Sequence, residues 1–323
     1  MSTAPLDDGP VAPAVVTGAL WRRYWSPRYW PTWLLAAWMW LTAQLPWRAT
    51  IALHAFIGRA LSFLLVRQKR TVRRNLEICF PALPQTEVAR LIRRHFENIT
   101  ICLAEMALGW FGNPRRRARL FDVAGEEHLQ AALAKGQGII LLSGHFTPIE
   151  ICVPVVKTLV PLFAFMYRPR RNALMNELQS LGRHKAAHVT FANDDVRGMV
   201  RALRTNGTVW YAPDQASRAR SAELLPFFGE PAMTSTVLSR VAKASGAVVV
   251  PFFFWRRRDG YSLRFEPALA DFPTADVVAD TIRVFGIIER FVRECPEQYM
   301  WNHRKFKGRA AHLPDAYGDR EGS

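Results

Sequence analysis

The stretch GQGIILLSGHFTPIE, residues 136–150, predicts the fold of the chain. Its four consecutive apolar residues, 139–142, are typical of a short strand that is buried on both faces. A Ser-Gly pair then ends the strand, and a Thr-Pro pair provides a cap and a first residue for a helix. His145 therefore stands at the carboxyl end of a buried strand, with Glu150 in the first helical turn. This is where α/β enzymes place catalytic side chains.

Strands alternate with helical segments on both sides of this stretch, which is the pattern of an α/β fold. We predict one domain with a central, mostly parallel sheet flanked by helices, and a loop over residues 216–233. Two further strands end in a polar side chain, Arg168 and Asp214, and we expect these to meet His145 at one edge of the sheet. Besides 139–142, the predicted strands are 120–123, 162–167, 188–191, 208–211, 247–255 and 261–265.

The composition narrows the class of partner. The chain has 323 residues and a formal net charge of +16, which favours nucleic acid, an anionic membrane surface or a phosphorylated substrate. Eleven tryptophans and twenty phenylalanines favour the membrane surface and not nucleic acid. The four cysteines are scattered without a metal-ligand spacing, and no phosphate-binding or dinucleotide-binding loop is present. We therefore predict no metal and no cofactor.

The N-terminal quarter has a different character. Residues 1–20 are small and proline-rich and are predicted to be disordered, whereas residues 21–74 are predicted to form a membrane-associating helical region. Its two apolar segments, 33–45 and 51–66, are short or interrupted, while a spanning helix needs about 20 apolar residues. Arginines flank the pair, so two helices lying in the interface fit best. A single tilted span and a buried helical hairpin remain open. Residues 75–308 would form the catalytic domain, and 309–323 a flexible tail.

The residue types indicate a reaction class. A histidine oriented by a carboxylate is a general base that can remove a proton from a hydroxyl group. The activated oxygen can attack a thioester directly, without a covalent enzyme intermediate. We expect backbone amides at the start of the helix near residue 147, or Arg168, to stabilise the developing oxyanion.

The segment from His145 to Glu150 matches the His-x4-Asp/Glu motif of the lysophospholipid acyltransferase superfamily. With several other segments, it resembles the bacterial lipid A late acyltransferases, the lauroyl and myristoyl transferases. The resemblance runs in order from about residue 21 to residue 308. Those segments are 75–81, 167–169, 196–198, 211–215, 226–229 and 296–301, the last followed by His303-Arg304.

This resemblance implies transfer of an acyl group from acyl carrier protein, or from coenzyme A, to a hydroxyl group of a lipid A precursor or similar glycolipid. The reaction would take place on the cytoplasmic face of the inner membrane. Carried over by position, His145 is the base and Glu150 its partner. The substrate-binding residues would be Arg168, Arg171, Asp214 and Gln215. An acyltransferase of the same fold for an ornithine lipid or a lysophospholipid, and a non-catalytic membrane lipid-binding protein, remain as alternatives.

Overall fold

The computed structural model of the protein describes residues 20–167, 170–192, 195–217, 221–308, 313 and 315–318. The predicted disordered N-terminus lies almost entirely outside these residues, as does most of the predicted tail. Within them the helices are α1 Trp30–Gln44, α2 Trp47–Leu64, α3 Val66–Cys79, α4 Gln85–Phe111, α5 Pro114–Ala118, α6 Glu126–Leu133, α7 Ile149–Leu159, α8 Ala173–Ala186, α9 Val196–Arg204, α10 Val237–Ser245 and α11 Val277–Glu294, with short 3-10 helices at Pro27–Tyr29 and Pro296–Gln298.

A seven-stranded sheet organises the fold, in the order β1-β9-β8-β2-β5-β3-β4. Its five strands from β8 to β4 are parallel, whereas β9 is antiparallel to β8 and pairs in parallel with β1. The α/β fold with a mostly parallel sheet is thus confirmed. The strands are β1 Phe121–Ala124, β2 Ile139–Leu142, β3 Phe163–Tyr167, β4 Val189–Ala192, β5 Thr208–Tyr211, β6 Ala222–Phe227, β7 Glu230–Ser235, β8 Val248–Arg256 and β9 Tyr261–Phe265.

Strand β2 lies at the centre of the sheet, between β8 and β5. All four of its residues are completely buried, because helices cover both faces of a parallel sheet. Leu142 pairs with Tyr211 of β5, so the two strands end side by side. The chain segments after β2 and after β5 therefore leave the sheet at the same edge, which brings together residues that are far apart in the sequence.

The loop predicted over residues 216–233 is wrong from residue 222 onward, because β6 and β7 form an antiparallel hairpin there. Pro226 pairs with Pro231, and a residue without an N–H group argues against a strand when the sequence is considered alone. Phe228 and Gly229 make the two-residue turn, both with positive φ, of 52° and 80°. The hairpin lets Phe227 be fully buried in the core.

The N-terminal helices pack on the long helix α4. Gly58 of α2 makes this close approach possible, since a Cβ atom there would lie 2.4 Å from the carbonyl oxygen of Phe96. Within the described residues no single helix is both long and apolar enough to cross a bilayer. Helices α2 and α3 taken together reach that length and composition, but the chain bends by 97° between them. Large apolar side chains are exposed along this region, at Trp21, Trp25, Trp30, Leu34, Trp40, Leu41, Leu45, Phe56, Phe63, Leu64 and Val66.

A buried ion pair joins α4 to the sheet. Nη1 of Arg256, at the end of β8, donates to Oε1 of Glu105 at 2.7 Å, and both side chains are almost fully buried. Arg256 also donates to the side-chain oxygen of Asn98. Burial raises the pKa of Glu105, and the charge of Arg256 opposes that rise. Arg256 therefore stabilises the negative charge of Glu105, which burial in the apolar core disfavours.

We expect Arg256→Met to lower the free energy of unfolding by about 3–5 kcal/mol, because it leaves Glu105 buried without its counter-charge. Adding Glu105→Leu should recover part of this loss. The control is Arg257→Met, which removes an exposed pair with Asp122 and should change stability by less than about 1 kcal/mol. Denaturant unfolding in mild detergent measures all four proteins, and equal effects at the two arginines would contradict the interpretation.

Candidate active site

His145 lies where β2 ends, and its ring is fixed by a carboxylate from the neighbouring strand segment. Nδ1 of His145 is 2.5 Å from Oδ1 of Asp214, which follows β5. The backbone N–H of His145 donates to the other carboxylate oxygen at 2.8 Å. Since an ionised carboxylate only accepts hydrogen bonds, Nδ1 carries the proton in this arrangement. Nε2 of His145 is then the basic nitrogen of the ring.

Asp214 is almost completely buried, with 2% of its surface exposed. Burial acts to raise the pKa of its carboxyl group. The charge of His145, together with hydrogen bonds from His145 and Tyr299, outweighs burial and lowers that pKa below its ordinary value. Asp214 is therefore ionised at neutral pH and can stabilise a positive charge on the imidazole.

The prediction that Glu150 holds the His145 ring needs correction. Oε1 of Glu150 accepts a hydrogen bond at 2.8 Å from Nη2 of Arg183 in α8, and both side chains are nearly buried. The five-residue spacing is a local pattern, whereas the actual partner, Asp214, is 69 residues from His145 along the chain. Only the parallel pairing of β2 with β5 brings that carboxylate to the imidazole.

Glu150 nevertheless contacts the site indirectly, through aromatic rings. The guanidinium of its partner Arg183 lies over the ring of Phe165 at 4.9 Å. Phe165 stacks on Trp210 of the adjacent strand, with ring centroids 5.3 Å apart, and Trp210 meets the ring of His145 at 5.6 Å. The Glu150–Arg183 pair therefore supports the wall on which His145 rests. Neither Arg183 nor Trp210 is recognisable as a site residue from the sequence alone.

Gln215 is brought next to the site by a second histidine. Its Nε2 lies 3.1 Å from Nε2 of His303, and the ring of His303 lies 6.0 Å from that of His145. Burial lowers the pKa of His303, and the charge of His145 lowers it further. Asn75 fixes the backbone here, since its amide donates to the carbonyl oxygens of Trp301 and His303. The resemblance covered His303 but assigned it no role.

Of the two predicted arginines, the structure describes only Arg171, and Arg168 lies outside the described residues. Arg171 is exposed in the segment that leads from β3 into α8, whose first turn is capped by Asn172. Nδ2 of Asn172 also donates to Thr32 of α1 at 2.9 Å, so this segment adjoins the N-terminal helices.

The backbone amides next to His145 are already engaged within the protein. The N–H of Phe146 donates to Gly144, and that of Thr147 to Gln298 at 2.9 Å. Together with the amide of His145 itself, this leaves the three amides 145–147 paired. Of the backbone amides expected to stabilise an oxyanion near the start of the helix, that of Thr147 is therefore already paired, whereas the helix itself begins at Ile149. Among the residues that the structure describes, no cluster of three or more His, Cys, Asp or Glu side chains is arranged to hold a metal ion.

Comparisons with known proteins agree with the sequence resemblance. Residues 21–308 match the family model described as bacterial lipid A biosynthesis acyltransferase. The chain is 35% identical over 294 residues to the lipid A biosynthesis lauroyltransferase of Escherichia coli, covering 90% of this chain and 96% of that protein. It is 33% identical over 294 residues to the palmitoleoyltransferase of the same organism, covering 89% and 94%.

Among solved structures, the 1-acyl-sn-glycerophosphate acyltransferase of Thermotoga maritima aligns with a TM-score of 0.37 and 14% identity, covering 75% of this chain and 97% of that one. The family assignment rests instead on the match over residues 21–308 and on the relatives at 35% and 33% identity. The chain belongs to the bacterial lipid A biosynthesis acyltransferase family, and it is an acyltransferase.

Proposed function

We propose that the protein transfers a fatty acyl group from a thioester donor to a hydroxyl group of a lipid A precursor, with His145 as the general base. The observation that carries this proposal is the contact of 2.5 Å between Nδ1 of His145 and Asp214, which engages Nδ1 and leaves Nε2 as the ring nitrogen that can accept a proton. The family and the names of the relatives support a lipid A precursor as acceptor. Those names specify different acyl chains, so they favour no single chain length.

In the proposed reaction, Nε2 of His145 accepts the proton of the acceptor hydroxyl as its oxygen attacks the thioester carbon. The imidazolium that forms is stabilised by the carboxylate of Asp214, which also fixes the ring tautomer. The tetrahedral intermediate then collapses, its carbon–sulfur bond breaks, and the leaving thiolate takes the proton from Nε2. The products are an ester and a free thiol, and His145 is again neutral.

We propose further roles for the other predicted site residues. Arg168 and Arg171 would bind an anionic group of the acceptor, because guanidinium groups pair with phosphate through two parallel hydrogen bonds. Gln215 would act through His303, with which it pairs. Glu150 would act by keeping Arg183 and the adjoining aromatic wall in place.

We propose acyl carrier protein as the donor, with coenzyme A as the alternative. The net charge of +16 supports an anionic partner. An assay with purified enzyme and a lipid A precursor, supplied in parallel with acyl carrier protein thioester and with coenzyme A thioester, decides between the two donors. Replacing the precursor by an ornithine lipid or a lysophospholipid in the same assay tests the alternative acceptors.

We also propose that the region 21–74 associates with the cytoplasmic face of the inner membrane. The many exposed large apolar side chains of the N-terminal helices support this, since extensive exposed apolar surface usually marks a site that binds a partner or a membrane. Exposed arginines lie beside them, at Arg22, Arg28 and Arg67, where they can pair with lipid phosphates.

We expect His145→Ala to lower kcat by at least about 10²–10⁴, the usual contribution of a general base, with the fold retained. The half-buried ring lies at a strand end and not in the core, so its loss should leave the thermal midpoint nearly unchanged. His128→Ala, at a partly exposed position of α6, is the control and should retain full activity. Undiminished acyl transfer by His145→Ala would remove the proposed base.

We expect Asp214→Asn to lower kcat by a similar factor while the Michaelis constants change little, because the amide cannot stabilise the imidazolium. The double variant with His145→Ala should be scarcely worse than the more impaired single variant, since residues that act as a unit are not additive. Asp122→Asn, at an exposed carboxylate, is the control. Near-normal turnover by Asp214→Asn would show that Asp214 is not the partner on which catalysis depends.

We expect the triple substitution Leu34→Gln, Phe56→Gln and Phe63→Gln to weaken binding to vesicles that contain anionic phospholipids. All three side chains are more than 65% exposed, so their replacement should not disturb the core. The matched control places glutamine at Val189, Val196 and Ile282, which are exposed apolar residues of the catalytic domain. Vesicle cosedimentation measures both proteins, and an equal decrease in the two would contradict an N-terminal membrane surface.

A further inference from the structure

A buried lysine lies close enough to the carboxylate of the site to be influenced by its charge. Lys305 is only 4% exposed, and it lines the same small cavity as Asp214, His303 and Tyr299. Its ammonium Nζ lies 3.4 Å from Oγ1 of Thr234 in β7. Its backbone N–H donates to the carbonyl oxygen of His303 at 3.0 Å, so the backbone that carries the side chain is held in place.

Two aromatic rings lie close to the ammonium group. Nζ lies 4.5 Å from the ring centre of Phe285 in α11 and 5.1 Å from that of Phe227 in β6. A cation over an aromatic face gains a modest stabilisation, which is small compared with the penalty for removing an ammonium group from water. Burial accordingly lowers the pKa of Lys305 to about 8, against the opposing effect of nearby negative charge. The group is still mainly protonated at neutral pH.

The groups that face Lys305 belong to three other segments. Asp214 comes from the loop after β5, Glu289 from α11 and the thiol of Cys79 from the end of α3, and each favours the charged ammonium. Glu289 already accepts a hydrogen bond from the backbone of Phe228 and lies beside Arg293. Asp214, by contrast, is ionised and buried, and the groups facing it besides Lys305 are His145, His303 and Tyr299.

We propose that Lys305 is a positioning residue that acts through Asp214: its buried ammonium group balances the carboxylate, so that His145 remains uncharged and free to accept the proton of the acceptor. A buried carboxylate with no other counter-charge would be balanced most easily by a protonated imidazole. A protonated His145 is not a base. Lys305 supplies the positive charge from the cavity that it shares with Asp214. This inference rests on the proposed general-base function of His145.

The test is the pH dependence of kcat/KM for the full-length enzyme with a thioester donor and a lipid A precursor. Lys305→Met removes the charge and keeps the length of the side chain, and we expect it to move the acid limb of the profile upward by about one pH unit. Activity on the plateau should stay within about threefold of the wild type. Lys305→Gln, which is uncharged but polar, should give the same shift. Lys305→Arg, which keeps the charge, should leave the limb in place.

A purely structural role would lower activity by the same factor at every pH, and that result in Lys305→Met and Lys305→Gln would overturn the inference. An unmoved acid limb with normal activity would overturn it as well. Thermal midpoints show which variants are folded. If Lys305→Met is not folded, the pH profile of Lys305→Gln provides the test. His145→Ala is measured alongside: retained transfer by that variant refutes the proposed base itself, whereas its inactivity combined with an unmoved limb refutes only the role of Lys305.

Discussion

The contact between the imidazole of His145 and the carboxylate of Asp214 depends on the way two central strands end. Strands β2 and β5 are parallel and in register up to Leu142 and Tyr211, so the segments that follow them leave the sheet together. Asp214 then reaches both the ring and the backbone N–H of His145. The first contact sets the ring tautomer, and the second fixes the backbone from which the ring projects.

The ordering of the site extends beyond these two residues. Tyr299 pairs with Phe146 in an isolated β-bridge, and the N–H of Met300 donates to the carbonyl oxygen of His145. The segment after α11 is therefore bound to the loop that carries His145 through backbone contacts. Asn75 of α3 holds that segment in turn, by hydrogen bonds to two of its carbonyl oxygens. Four parts of the chain thus have to be folded before the imidazole has one orientation: the segments after β2, β5 and α11, and helix α3.

Buried charges recur around this centre. Glu150 pairs with Arg183, Glu105 with Arg256, and Lys305 lies near Asp214. Such pairs contribute little net stability, because the penalty for desolvating two ions offsets much of their attraction. Their effect is on geometry and on protonation states. Glu105 and Arg256 join α4 to β8. The N-terminal helices are joined to the same body, since the indole of Trp47 donates to the hydroxyl group of Tyr261.

The sequence by itself determined the α/β fold, the position of His145 after a buried strand and the family. Hydrophobic runs, caps and motif segments are local patterns, so they can be recognised without a structure. It did not determine the partner of His145, because Glu150 and Asp214 are both acidic residues near the predicted edge, and only strand order decides which one reaches the ring. The hairpin of β6 and β7 was missed for a related reason, since its two prolines argue locally against strands. The positions of Arg183, His303 and Lys305 in the site follow only from tertiary packing, which places these side chains beside residues far away in the chain.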